Sequence, residues 1–202
     1  MSKVLREGRN LEDAQKVAIM IHGRGGTAES ILSLKDSLNL KDFALLAPQA
    51  PENTWYPYSF MAPDKSNEPS FSQSIKTIDE MVNMAYSHGY KSEQIFFIGF
   101  SQGACLALEY ATQNAGNYGG VIAFTGGLIG ENIREEKYSG DFKQAKVFIG
   151  SGFKDPHVPL SRIEASEKLM TKLGAVVKTL IFEDYEHTIR KKEIDWVNEN
   201  IL

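Results

Sequence analysis

The chain has 202 residues, 42% apolar and 24% charged, with a formal net charge of −4. This is the composition of a folded globular protein, and its acidic balance gives no electrostatic case for nucleic acid or an anionic membrane as partner. The single cysteine, Cys105, excludes an internal disulfide and a cysteine-built zinc cluster. No run of about 18 apolar residues could span a bilayer, and the first twenty residues lack the apolar stretch of a signal peptide, so one soluble cytoplasmic domain over residues 1–202 is expected.

In chain order, a short strand near residues 3–6 precedes the first dense apolar run, residues 17–21 (VAIMI). A glycine-rich loop, HGRGGT, follows, and Thr27 can cap a helix over 28–38 with Ile31, Leu34 and Leu38 on one face. Residues 43–47 (FALLA) form the next run. The segment 48–69, rich in proline and aromatics, then leads to a helix over 71–87 that Ser70 can cap, with Ile75, Ile78, Met81, Val82 and Ala85 inward. Residues 95–98 (IFFI) precede a small-residue helix over 104–113, and 121–124 (VIAF) precede a second long segment, 125–145. A strand over 146–150 is followed by a helix over 161–173, opened by a Ser161–Glu164 capping box and stopped at Gly174. A last strand, 176–182, and a helix over 189–201 close the chain. The apolar runs are continuous rather than alternating, as in strands buried on both faces. Strand and helix alternate, so the expected fold is a three-layer α/β sandwich on a mostly parallel sheet of six or seven strands.

The chemistry centres on Gly99-Phe100-Ser101-Gln102-Gly103, a G-x-S-x-G pattern. The pattern alone says little, but here it lies between a buried strand and a small-residue helix, where a tight turn pushes a serine hydroxyl out of the sheet. A hydroxyl needs a base, and reacting groups in such sheets stand at the carboxyl ends of strands. His187 follows the last strand and suits that role. His88 lies on the opposite edge, His22 opens the glycine loop, and His157 sits in a proline-flanked turn. Asp155, after the preceding strand, can hold the base's tautomer, with Asp184 as the rival acid. The order Ser101, Asp155, His187 is that of α/β-hydrolases. An oxyanion hole takes two backbone N–H groups, which Gln102 and the glycine loop can supply, Arg24 before Gly23. The competing phosphate-loop reading lacks the Lys-Ser/Thr of a P-loop. Cys105, four residues past the serine, reads as buried packing.

Together, HGRGGT, APQAP with its aromatic segment, GFSQGA, SGxxDPHVP and a late histidine resemble the phospholipase/carboxylesterase family, over about residues 16–202. HGRGG is more similar to a bacterial branch, some of whose members are dienelactone-hydrolase-like. The resemblance implies a compact α/β-hydrolase with triad Ser101, Asp155 and His187 and oxyanion donors Arg24 and Gln102. It implies a serine esterase that uses no cofactor or metal. Trp55 and Tyr56, with Gly23, are expected to bind substrate. With no insertion large enough for a lid domain, the groove is expected to be walled by loops 55–60 and 125–137 and to take short or medium acyl or small aromatic esters. The alternatives are hydrolysis of a cyclic ester and a ligand-binding member of the fold without turnover. The long loops could also pair two copies as a homodimer.

Overall fold

The computed structural model describes residues 3–202. Seven strands form one sheet: β1 (Val4–Gly8), β2 (Lys16–Ile21), β3 (Phe43–Pro48), β4 (Ile95–Phe100), β5 (Gly120–Phe124), β6 (Lys146–Gly152) and β7 (Val176–Phe182). Their order is β1-β3-β2-β4-β5-β6-β7. β1 runs antiparallel to β3 and every other pair is parallel. The runs that read as continuously apolar are β2 to β5, the sheet centre, where almost every side chain is buried.

Five α-helices cover the two faces: α1 (Ala28–Leu32), α2 (Ser70–Ser87), α3 (Gln102–Gln113), α4 (Leu160–Lys172) and α5 (Lys191–Asn200). Alternate strand residues feed two cores. Val17, Ile19 and Ile21 belong to the core that also takes side chains of α2, α3 and α4, while Ala18 and Met20 belong to the one that takes side chains of α1 and α5. Among the described residues no helix is long and apolar enough to cross a membrane.

One helix end and two helix caps differ from expectation. Thr27 does cap α1, accepting from the Ser30 N–H, but α1 ends at Leu32 and tightens into a 3₁₀ turn over Ser33–Asp36. There the Ser33 hydroxyl bonds the Ser30 carbonyl, and this local competition tightens the helix, leaving Leu34 only half-buried. Ser70 lies inside α2, and the cap comes from Glu68, whose carboxylate accepts from the Ser72 N–H and hydroxyl. Ser161 and Glu164 form no capping box, because α4 starts one residue earlier, behind Pro159, whose ring presets the entry angle. Gly174 ends α4 with a φ of +85°.

Candidate active site

Between β4 and α3 the chain turns on one residue. Ser101 has φ 54° and ψ −119°, a costly conformation for a side chain bearing a Cβ. Neighbouring bonds hold it there: its N–H donates to the Phe124 carbonyl at 2.9 Å, and its carbonyl accepts from the Cys105 N–H at 3.0 Å. The flanking glycines are obligatory. A Cβ on Gly99 would lie 2.4 Å from the Gly103 carbonyl oxygen, and one on Gly103 would lie 2.1 Å from that of Ile21.

The loops after β6 and β7 bring the partners. His187 Nε2 lies 2.7 Å from Ser101 Oγ, and His187 Nδ1 lies 2.8 Å from Asp155 Oδ2. Asp155 has a fully buried side chain, and its other oxygen accepts the His157 and Val158 N–H groups at 2.8 and 3.0 Å. A carboxylate that accepts at Nδ1 keeps the proton there and leaves Nε2 free to accept from the serine hydroxyl. The His187 ring is held between Phe100, 5.4 Å away, and His157, 4.8 Å away and edge-on.

The other histidines and the rival acid stand elsewhere. His22 is buried, with Nδ1 2.7 Å from the Gly23 carbonyl and Nε2 accepting from the Ala50 N–H; burial pushes its pKa down. His88, at the end of α2, faces Glu12. Asp184 is paired with Arg190, which holds its carboxyl below the usual range. The backbone N–H groups of Arg24 and Gln102 have no hydrogen-bond partner among the described residues.

A cavity of about 420 Å³ opens over Ser101 and His187. Tyr56, Phe60, Cys105, His157 and Val158 line it, with Arg24 at its edge. Burial pushes the Cys105 thiol up to about 12, so it is a protonated wall group rather than a nucleophile.

Three expectations about the walls need correction. Trp55 does not line the cavity. It is buried beneath the loop, with its indole N–H donating to the His22 carbonyl at 2.8 Å and its ring 5.0 Å from His22. Gly23 does not line it either: a Cβ there would stand 3.3 Å from that of Ser101, so its bareness lets two backbones approach. No residue of 125–137 reaches the cavity, and His157 and Val158 form that wall instead.

The sequence reading missed two side chains. The Gln102 amide accepts from the Trp55 N–H at 2.9 Å and donates to the Tyr56 carbonyl at 2.8 Å. The Arg24 guanidinium donates to Thr54 Oγ1 and to the carbonyls of Pro57 and Tyr58. The residues expected to lend backbone N–H groups thus also hold the aromatic wall. Nothing in local spacing announces bonds that span 30 residues or more.

The chain matches the phospholipase/carboxylesterase family over residues 9–201. It is similar to the crystal structure of a phospholipase/carboxylesterase from Dyadobacter fermentans, with 47% identity, a TM-score of 0.98 and coverage of 100% of this chain and 96% of that one. It is 29% identical to acyl-protein thioesterase 1 of Saccharomyces cerevisiae over 77% of each chain. The Bacillus cereus carboxylesterase shares the fold, with a TM-score of 0.78 at 17% identity over 98% of this chain and 92% of that one. The strand–turn–serine–helix arrangement and these likenesses agree: the chain belongs to the phospholipase/carboxylesterase family of α/β-hydrolases and is a hydrolase of the carboxylesterase type.

Proposed function

We propose that the protein hydrolyses small carboxylic esters, or thioesters by the same chemistry, through an acyl-enzyme on Ser101. His187 takes the serine proton as Oγ attacks the carbonyl. Asp155 stabilises the imidazolium, and the Arg24 and Gln102 N–H groups receive the oxyanion. His187 then returns the proton to the leaving oxygen, and water repeats the sequence on the acyl-enzyme. The observation that carries this reading is the continuous relay Asp155–His187–Ser101, with its two hydrogen bonds of 2.8 and 2.7 Å, opening into the cavity.

The cavity supports the substrate class. Its walls mix aromatic and polar groups, and its volume lies near the small end of the range for ligand sites. Each added CH₂ of the acyl chain can gain up to about 0.8 kcal/mol only while it finds wall to cover. A series of p-nitrophenyl esters from acetate to laurate tests this. kcat/KM is expected to rise over the first few carbons and then fall, with no jump where the ester forms micelles. A steady rise to long chains, or a jump on micelles, would identify a lipase and overturn the small-ester reading.

A further inference from the structure

His187 stands on the connection between β7 and α5, and a side chain on a loop meets two partners at once only if its main chain is fixed. Arg190, three residues on, folds back under that loop. Its guanidinium donates from Nη2 to the Glu186 carbonyl at 2.8 Å and from Nη1 to the Thr188 carbonyl at 3.2 Å. These are the carbonyls of the two residues that flank His187. Nε donates to Asp184 Oδ2 at 3.0 Å, and Nη2 reaches the other oxygen of that carboxylate. The guanidinium carbon lies 4.7 Å from the Phe182 ring centre, at the end of β7. Glu193, whose side chain is fully buried, accepts the Arg190 N–H at 2.6 Å and places Oε2 3.6 Å from Nη1. Only 12% of the Arg190 side chain is exposed. Asp184 carries the bracing further, since its carbonyl accepts the Lys154 N–H, next to Asp155, at 3.0 Å.

We propose that Arg190 is a positioning residue that fixes the main chain on both sides of His187, so that Nδ1 and Nε2 meet Asp155 and Ser101 together. The proposal rests on the Ser101–His187–Asp155 reading above. The planar fork of the guanidinium is what the task requires. One ammonium cannot span two carbonyls and both oxygens of a carboxylate, so lysine is no substitute. A base displaced by about 1 Å costs on the order of 100-fold in rate.

Arg190→Gln, Arg190→Lys and Asp184→Asn test it together. Arg190→Gln is expected to lower kcat roughly 100-fold with KM within about threefold, the signature of a group acting only in the chemical step. Arg190→Lys keeps most of that loss. Asp184→Asn leaves both carbonyl bonds in place and loses less than about tenfold. The downfield Nδ1 proton resonance of His187 should broaden or move in Arg190→Gln and persist in Asp184→Asn. A folded Arg190→Gln protein with unchanged kcat, or a loss carried by KM, overturns the proposal, as does Asp184→Asn costing as much as Arg190→Gln. Should Arg190→Gln not fold, Arg190→Lys decides on the same criteria. A parent that hydrolyses no ester and takes no phosphonate label on Ser101 defeats the triad reading instead, and the proton resonance still reports what Arg190 does for His187.

Discussion

Residues 49–69 and residues 125–145 both leave the carboxyl end of a central strand and cross the same edge of the sheet, yet they are anchored to different things. The first is held by the nucleophile's own neighbourhood: the Gln102 amide takes the backbone of Trp55 and Tyr56, and Arg24 takes Pro57 and Tyr58. The second is held by two buried ionisable side chains on the helices beneath it. Glu109 accepts from the Ile129 N–H and the Tyr138 hydroxyl, and Arg162 donates to the carbonyls of Leu128, Gly130 and Glu131. It then braces the first from outside, with the Gly130 N–H on the Phe60 carbonyl and Asp64 paired to Lys137 and Arg134. A long loop becomes part of a site when the site's own side chains hold it. When the core holds it, it is architecture.

Substitutions at the two sets of anchors should therefore part company. The largest effect is expected from Arg162→Ala, which strips the buried carbonyls of Leu128 and Gly130, and the more exposed one of Glu131, of their donor and should cost on the order of 4 kcal/mol in urea unfolding. The molecules that remain folded should keep kcat within about threefold. A fall in kcat without a fall in stability would make the second segment part of the site. Next comes Gln102→Ala, which keeps its backbone N–H but frees the aromatic wall. Here the loss should be roughly tenfold in kcat/KM for about 1–2 kcal/mol of stability. Equal ratios of activity to stability in the two variants would erase the distinction.

The smallest effect is in the pH dependence of stability. The anchors of the first segment are an amide and a guanidinium, whereas one anchor of the second is a carboxyl group. Burial raises the Glu109 carboxyl, and it raises that of Glu193, outside both segments, to about 7. A folded chain that holds a proton the unfolded chain has lost is most stable below the unfolded pKa, near 4.5, and loses that stability as pH rises through the folded pKa. Glu109→Gln should flatten this fall by less than one proton's worth, about 1.4 kcal/mol per pH unit at most, with Glu193→Gln removing a separate share. A slope unchanged by both substitutions would place the titration elsewhere.

The sequence was legible where a pattern repeats or a geometry is forced. Continuous apolar runs announced the central strands, because burial on both faces leaves no polar alternate. Ser101 was legible because a strand that must turn into a helix within one residue needs bare neighbours at Gly99 and Gly103. The walls were not. Trp55 and Tyr56 are adjacent and equally buried, and a loop has no period to say which ring turns toward the cavity. Tyr56 reaches it, while Trp55 is drawn under by the His22 carbonyl. The starts of α2 and α4 misled for a related reason: a serine near a helix start is a cap only if no upstream residue, here Glu68 or Pro159, sets the entry first.

The central claim is that Ser101, driven by His187, is the nucleophile. A fluorophosphonate probe followed by peptide mass spectrometry tests it most directly. The account predicts a single adduct, on Ser101. It should be absent in Ser101→Ala, slowed by orders of magnitude in His187→Ala, and formed at the parent rate in Cys105→Ala, because burial keeps the parent's Cys105 thiol protonated. An adduct on any other residue, or one that survives Ser101→Ala in folded protein, would contradict it.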